Sequence, residues 1–459
     1  MVFTSYEFLL FFLIVLILYW QVKRCAWQNL LLLIASYIFY GWVHPWYALL
    51  LGLSTLADFY LAVGIERRRD RRSLFVIISL FFNLGIWVFF KSFDFFSDNL
   101  MLPIDANWAG IFLHVGLSFY NLKKLAYIFD VSRGAIQPTH KLIEFALFIS
   151  FFPQINAGPI DRAQRLLPQM QSTRVWSAEN FHAAWPLLVM GFFKKLVIAD
   201  TVRTAIDPVF MLKEPSILLL LAASLGFMLQ IFADFSAYTD LSRAIARLFG
   251  FDTPENFRSP YLAITPTDFW NRWHISLSSW LRDYVFFPLR RTLLRANAPA
   301  WLTDALPALV TMLTSGIWHG ADWTYVVWGG FFGILIVIYQ LLGLGGAWNP
   351  SSRPKRFLAW LIMFVLLVFS FMIFRAPSLG WLANIFLKGS FIGPTDQALA
   401  ALISFSIIAF YAMPLMIKAI MDRFIHPSSI LFDLYYVLAT IAMLAYLNVS
   451  APDFVYFRF

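Results

Sequence analysis

Charge is what this chain has least of. Only 13% of its residues are Asp, Glu, Lys or Arg, against about 25% in soluble globular domains. With 60% hydrophobic residues and a mean hydropathy of +0.70, that shortage excludes an ordinary soluble domain. Cysteine is nearly absent as well. Cys25 stands alone, so neither a disulfide framework nor a cysteine metal site is expected. There is no HExxH, and His274 and His319 are far apart in the chain, so no metal site is expected from histidine spacing either. No separate soluble domain, low-complexity tract or short-period repeat is expected. The net charge of +9 suits cytoplasmic loops beside anionic membrane lipid rather than nucleic acid.

What the chain has is uninterrupted apolar sequence. "LFVIISLFFNLGIWVFF" (74–90) and "FLAWLIMFVLLVFSFMIF" (357–374) carry no charge, and 217–233 and 398–416 behave likewise. A helix of about 20 such residues crosses the hydrocarbon layer and satisfies its own backbone there. The fold class is all-α and polytopic, with roughly 11–13 transmembrane or re-entrant helices. Spans are expected near 8–20, 28–43, 46–64, 73–91, 108–129 and 141–153, then 180–200 and 216–234. Five more follow near 303–318, 323–343, 357–375, 398–420 and 430–448. The first run does not read as a cleavable leader, because "MVFTSYE" lacks a basic residue and Lys23 and Arg24 come after the run. Basic residues there and in "ERRRDRR" (66–72) put those ends in the cytoplasm and the N-terminus outside.

The whole of 1–459 is read as a single membrane domain. Its N-terminal helices are 1–150, a motif-bearing core is 151–335, and C-terminal helices fill 336–459. "FFPQINAGPIDRAQRLLPQM" (151–170) interrupts the apolar pattern with Asn156, Gly158 and Pro159, which predicts a break or re-entrant turn. Between Asp234 and Arg295 lie eight arginines, six acids and no lysine. Phe269, Trp273, Leu277 and Trp280 keep helical spacing through that enclave, as in amphipathic or half-buried helices.

Two histidines stand out in this setting. His274 sits in "DFWNRWHISLSSWLRDY" and His319 in "SGIWHGADW". An ionisable group at membrane depth is costly and usually faces a cavity or a partner. A neutral imidazole is also what a general base requires. Taken singly, each histidine is as well explained by one hydrogen bond to a carbonyl. Asp268 and Arg272 have ordinary ion-pair spacing. Arg282 and Asp283 suit headgroup anchoring, and Trp270, Trp273 and Trp280 suit an aromatic belt. Lys194 and Lys195 in "GFFKKLVIAD" read as snorkelling side chains, or as attraction for an anionic donor such as coenzyme A.

In order, "FFPQINAGPIDR", "GFFKKLVIAD", "DFSAYTDLSRAIARLFGF", "PENFRSPY", "DFWNRWHISLSSWLRDYVFFPL", "GIWHGADWTYVVWGG" and the terminal "FVYFRF" make a set. The set resembles the membrane-bound O-acyltransferase family, nearest its bacterial branch typified by the alginate O-acetylation protein. The resemblance implies a helical fold around a central funnel with a membrane-depth active site. His319 and His274 match the family's two signature histidines and are the implied catalytic pair. Trp318, Trp273, Asn271, Arg272, Ser276, Arg282, Asp283 and Asp240 are the implied substrate or funnel-lining residues. Lys194, Lys195, Lys123 and Lys124 are candidates for attracting the donor.

The implied activity is O-acyl transfer, most simply of acetyl from acetyl-CoA as donor substrate, with no bound cofactor. The implied acceptor is an extracytoplasmic polysaccharide such as alginate, cellulose, another exopolysaccharide or peptidoglycan. A periplasmic or extracellular esterase-like partner and a bacterial inner membrane location go with it. D-alanyl transfer from a carrier-protein thioester toward teichoic acid is the alternative, and a transporter or scaffold is the non-enzyme reading. Two stretches depart from the expected pattern. "HVGLSFYNLKK" stands where "PIGISFYTFQ" is usual and brings His114, Lys123 and Lys124, and "RRTLLRAN" stands for a glycine-rich "GGNR" and brings Arg290 and Arg291. Both add positive charge where a donor or partner could dock.

Overall fold

Lipid leaves a backbone few options, and the described spans of this chain take the helical one. The computed structural model describes residues 1–92, 116–346, 348–426, 428–447 and 454, and among these there is no β-strand. Among the described residues eight helices are long and apolar enough to cross a membrane, and Tyr6–Gln21, Cys25–Gly41 and Ile430–Ala445 are shorter apolar helices. The chain is a polytopic, all-helical membrane protein.

The chain divides into two units. The first holds residues 1–188 and 238–255. It opens with α1 (Tyr6–Gln21), α2 (Cys25–Gly41), α3 (Pro45–Arg67) and α4 (Arg72–Trp87), and continues with helices Leu117–Arg133, Leu142–Ser150 and Ala163–Gln171. The expected span near 108–129 is described only from residue 116. There Gly116 adopts a positive φ of 89°, and a Cβ would come 2.7 Å from the Ile155 carbonyl oxygen, so only glycine fits. His114 and most of the terminal "FVYFRF" lie outside the described residues.

The apolar 141–153 stretch does not span. Only Leu142–Ser150 is helical, and nine residues at 1.5 Å each reach less than half the hydrocarbon thickness. The expected break follows it. Residues 151–158 run as buried turns, and a Cβ on Gly158 would overlap the Gln154 backbone and come 2.7 Å from Ser242 Oγ. Arg174 closes this unit: its guanidinium donates to Tyr19 Oη at 2.7 Å and to Asn29 Oδ1 at 2.6 Å.

The second unit holds residues 189–237 and 256–459. Helix Ile217–Leu248 runs well past the expected 234, so "DFSAYTDLSRAIARL" prolongs a span rather than forming a loop. Its first part belongs to this unit and its last turns to the other. The rest of the enclave includes two short helices, Pro266–Trp270 and Ile275–Leu281, then a π-helical turn and helix Phe287–Arg295. Phe269, Trp273, Leu277 and Trp280 are all buried, as their spacing predicts. The long helices Ala300–His319, Trp323–Leu341, Arg353–Arg375 and Thr395–Phe424 complete the unit, with Leu379–Lys388 and Ile430–Ala445.

Candidate active site

His274 is placed by strain. It occupies the break between helices 266–270 and 275–281 with φ 43° and ψ 54°. For a residue with a Cβ that left-handed conformation costs about 1–2 kcal/mol, and such outliers persist where neighbours over-determine them. Here Asn256 does so: its carbonyl accepts from the Ile275 N–H at 2.9 Å, and its Oδ1 accepts from the Ser276 N–H at 3.1 Å. Arg258 N–H donates to the Arg272 carbonyl at 2.9 Å on the same edge. The imidazole is buried, and Phe235 meets it edge-on at 4.7 Å between ring centroids.

His319 is placed by close helix packing. It ends helix 300–319, which turns through Gly320 into helix 323–341, capped by Asp322 Oδ1 accepting from the Thr324 N–H at 2.8 Å. A Cβ on Gly316 would collide with the Tyr325 carbonyl oxygen, and one on Gly329 with that of Met312. Small residues let two membrane helices approach this closely. The His319 ring is buried among Trp318 at 5.0 Å, Trp328 at 5.2 Å and Phe374 at 5.3 Å. Trp318 also lies 5.9 Å from the His274 ring. One indole therefore touches both imidazoles.

A cavity of about 300 Å³ lies alongside. Its wall includes Ile275, next to His274, and Ser315, one turn before His319. Asn271 and Arg282 line it as well, Arg282 being half-exposed and 3.3 Å from Asp283. Three lining groups have no hydrogen-bond partner among the described residues: Trp270 Nε1, read from sequence as part of an aromatic belt, and Thr311 Oγ1 and Ser315 Oγ, which sequence reasoning passed over. Thr311, Ser315 and His319 recur every fourth residue along one helix face. That spacing was present in "TMLTSGIWH".

The other candidates distribute unevenly. Trp273 is a packing residue, with rings of Phe257, Phe371 and Phe269 at 5.0, 5.5 and 5.6 Å. Arg272 pairs with Asp268 at 2.6 Å, and Ser276 is buried beside Asn256. Lys194 donates to Ser236 Oγ at 2.9 Å. Lys195 Nζ bridges Asp200 Oδ1 at 2.8 Å and Asp234 Oδ1 at 3.0 Å, under the Phe454 ring at 4.4 Å. Neither lysine snorkels, for both are buried in a π-helical segment, Phe193–Ala199.

Asp240, Lys123 and Lys124 belong to the first unit. Lys123 donates to Gln154 Oε1 at 3.1 Å and lies over Phe148, while Lys124 is 3.5 Å from Asp58 with both side chains fully buried. Both lysines are buried, Lys124 in an ion pair and Lys123 in a hydrogen bond to a neutral amide, so these contacts join segments of the fold rather than face an anion in solution.

A family model for the membrane-bound O-acyltransferases matches residues 117–379, which take in both histidines. A probable alginate O-acetylase of Pseudomonas aeruginosa is 34% identical over 91% of this chain and 84% of its own. A peptidoglycan O-acetyltransferase of Helicobacter pylori is 30% identical over 78% and 72% respectively. A teichoic acid D-alanyltransferase of Bacillus subtilis is 30% identical over 57% and 68%. With agreement of this extent around two buried imidazoles that share one indole, the chain belongs to the membrane-bound O-acyltransferase family.

Proposed function

We propose that this acyltransferase takes acetyl from acetyl-CoA at the cytoplasmic face of a bacterial inner membrane. It passes the group toward hydroxyls of an extracytoplasmic polysaccharide, and a periplasmic esterase-like partner completes the transfer. The N-terminus lies outside. Similarity to a probable alginate O-acetylase over 91% of this chain and to a peptidoglycan O-acetyltransferase over 78% supports this reading.

The observation that carries it is Trp318 in contact with both His274 and His319. An acceptor hydroxyl oxygen attacks the thioester carbonyl carbon while His319 takes the hydroxyl proton. The tetrahedral oxygen accepts a hydrogen bond from His274 until the C–S bond breaks, and the departing thiolate takes up the proton. Positioned proton transfer contributes about 10²–10⁴-fold, and one oxyanion donor about 10²–10³-fold. The cavity beside Ser315 and Thr311 is where the thioester arm would lie, its carbonyls accepting from Trp270 Nε1 and the two hydroxyls.

The test is release of free CoA from labelled acetyl-CoA by wild type, His319→Ala and His274→Ala in nanodiscs, with a polysaccharide acceptor present. Histidine-dependent release supports acetyl transfer. Wild-type rates from His319→Ala would remove its role as base. The similarity to a teichoic acid D-alanyltransferase favours a second reading, with D-alanine arriving on a carrier protein. Folded wild type that ignores acetyl-CoA but turns over a D-alanyl carrier thioester would establish that reading instead.

A further inference from the structure

Where α3 ends and α4 begins, the chain carries five arginines in six residues. Lys/Arg runs at helix ends usually just face water, but this run is built into a concave site. A small cavity of about 50 Å³ is lined by Arg69, Arg72, Arg133, Gly134 and Glu66. At roughly 10–15 Å³ per water-sized sphere, it has room for a few waters or one tetrahedral oxyanion.

The nearby carboxylates are already engaged. Glu66 lies 3.0 Å from His140, and Asp70 lies 3.7 Å from Arg71. Among the described residues neither Arg69 nor Arg72 has a carboxylate within ion-pair distance. Arg72 is also the first residue of α4, a 16-residue helix whose N-terminus has no side-chain cap, so its positive dipole end adds to the cations. Arginine used alone, with planar forks, suits phosphate oxygens.

We propose that this cavity is a receptor for the phosphate of an anionic bilayer lipid. The occupant follows from position. The cavity sits at the end of the spans Pro45–Arg67 and Arg69–Lys91, the depth at which lipid phosphates are concentrated. Both spans turn apolar faces outward on the same helices: Tyr60, Leu56, Leu74 and Ile77 are exposed. A lipid seated by its phosphate can lay its chains along those faces, which a free anion cannot do. The site lies wholly in the first unit and is independent of the acyl-transfer reading.

The experiment uses the full chain in dodecyl maltoside. Bound lipid is counted by native mass spectrometry, and thermal unfolding is followed with added phosphatidylglycerol, phosphatidylcholine or inorganic phosphate. Wild type should retain phosphatidylglycerol over phosphatidylcholine and unfold later with it. The variant R69Q/R72Q/R133Q should lose about a hundred-fold in that preference, because each basic residue near an anionic headgroup contributes roughly a factor of five. R295Q/R353Q/R356Q, the same charge change at exposed positions elsewhere, should lose none of it.

Equal loss in both triples would reduce the effect to net charge and overturn the proposal. So would stabilisation by inorganic phosphate matching that by lipid. Should the triple variant fail to fold in phosphatidylcholine, Arg69→Gln and Arg72→Gln singly carry the test. Each should then lower the preference about five-fold, and no change in either overturns the site.

Discussion

The rings of Phe235 and His274 meet near perpendicular with centroids 4.7 Å apart, and the residue before Phe235, Asp234, accepts from Lys195 at 3.0 Å. The wall of the histidine is thereby tied to a buried ion-pair cluster on another helix. Lys195 and its two carboxylates are not solvent-facing attraction for a donor. They fix the register of helix 217–248 against the 193–199 segment, and so the height at which Phe235 meets the imidazole.

Removing the central cation tests that tie. Lys195→Met leaves Asp200 and Asp234 buried without its ammonium. Breaking one side of a buried pair costs about 3–5 kcal/mol, so thermal unfolding in nanodiscs should fall sharply, with acyl transfer falling alongside. Unchanged unfolding would show that Lys195 is not structural.

Lys124 and Asp58 make a second such pair, and its logic is reciprocal. Asp58 also accepts from Ser79 Oγ at 2.5 Å and from Asn83 Nδ2 at 2.9 Å. Lys124→Met or Asp58→Asn alone should destabilise the first unit by about 3 kcal/mol or more. The double variant should lie nearer wild type than either single one, with a coupling of about 1–3 kcal/mol. Additive losses in a double-mutant cycle of unfolding free energies would show that the ion pair is incidental.

Most of the span pattern could be read directly, because apolar runs free of charge have one structural use in a chain this hydrophobic. Two misreadings have physical causes. Residues 141–153 are as apolar as a span but are buried by protein, and composition does not separate a core helix from a crossing one. Lys123, Lys124 and Lys195 look like surface charge in sequence, because Asp58, Gln154 and Asp234 are distant in the chain and meet them only on folding. His274 and His319 stand out in the sequence as ionisable side chains in apolar surroundings, and the motif resemblance implies their pairing. The unpartnered hydroxyls of Thr311 and Ser315 needed the fold, since nothing in a threonine or serine signals whether a carbonyl is in reach.

The glycines between helices 300–319 and 323–341 make a graded prediction. Gly316→Ala or Gly329→Ala puts a Cβ into a facing backbone carbonyl, which cannot step aside, and must push the two helices apart. His319 would move with its helix, and a displacement near 1 Å can cost about 10²-fold in rate. Gly330 is the control. Its nearest neighbour would be Leu313 Cδ2 at 3.9 Å, so Gly330→Ala should keep near wild-type transfer. Equal activity in all three would separate helix spacing from catalysis.

Ser315→Ala and Thr311→Val separate binding from stability, since here the two should move in opposite senses. Ser315 is fully buried and Thr311 nearly so, and their hydroxyls have no hydrogen-bond partner among the described residues. A buried hydroxyl left unpaired carries a desolvation cost of about 1–3 kcal/mol. Replacing it with an apolar group should therefore leave unfolding unchanged or raise it. If the cavity holds the thioester arm, the same changes remove hydrogen bonds that form only with donor bound, worth about 0.5–1.5 kcal/mol each. The Michaelis constant for the donor should rise roughly three- to ten-fold per hydroxyl, with turnover little changed. Variants that are less stable and bind donor normally would make Thr311 and Ser315 structural and leave the cavity unrelated to the donor.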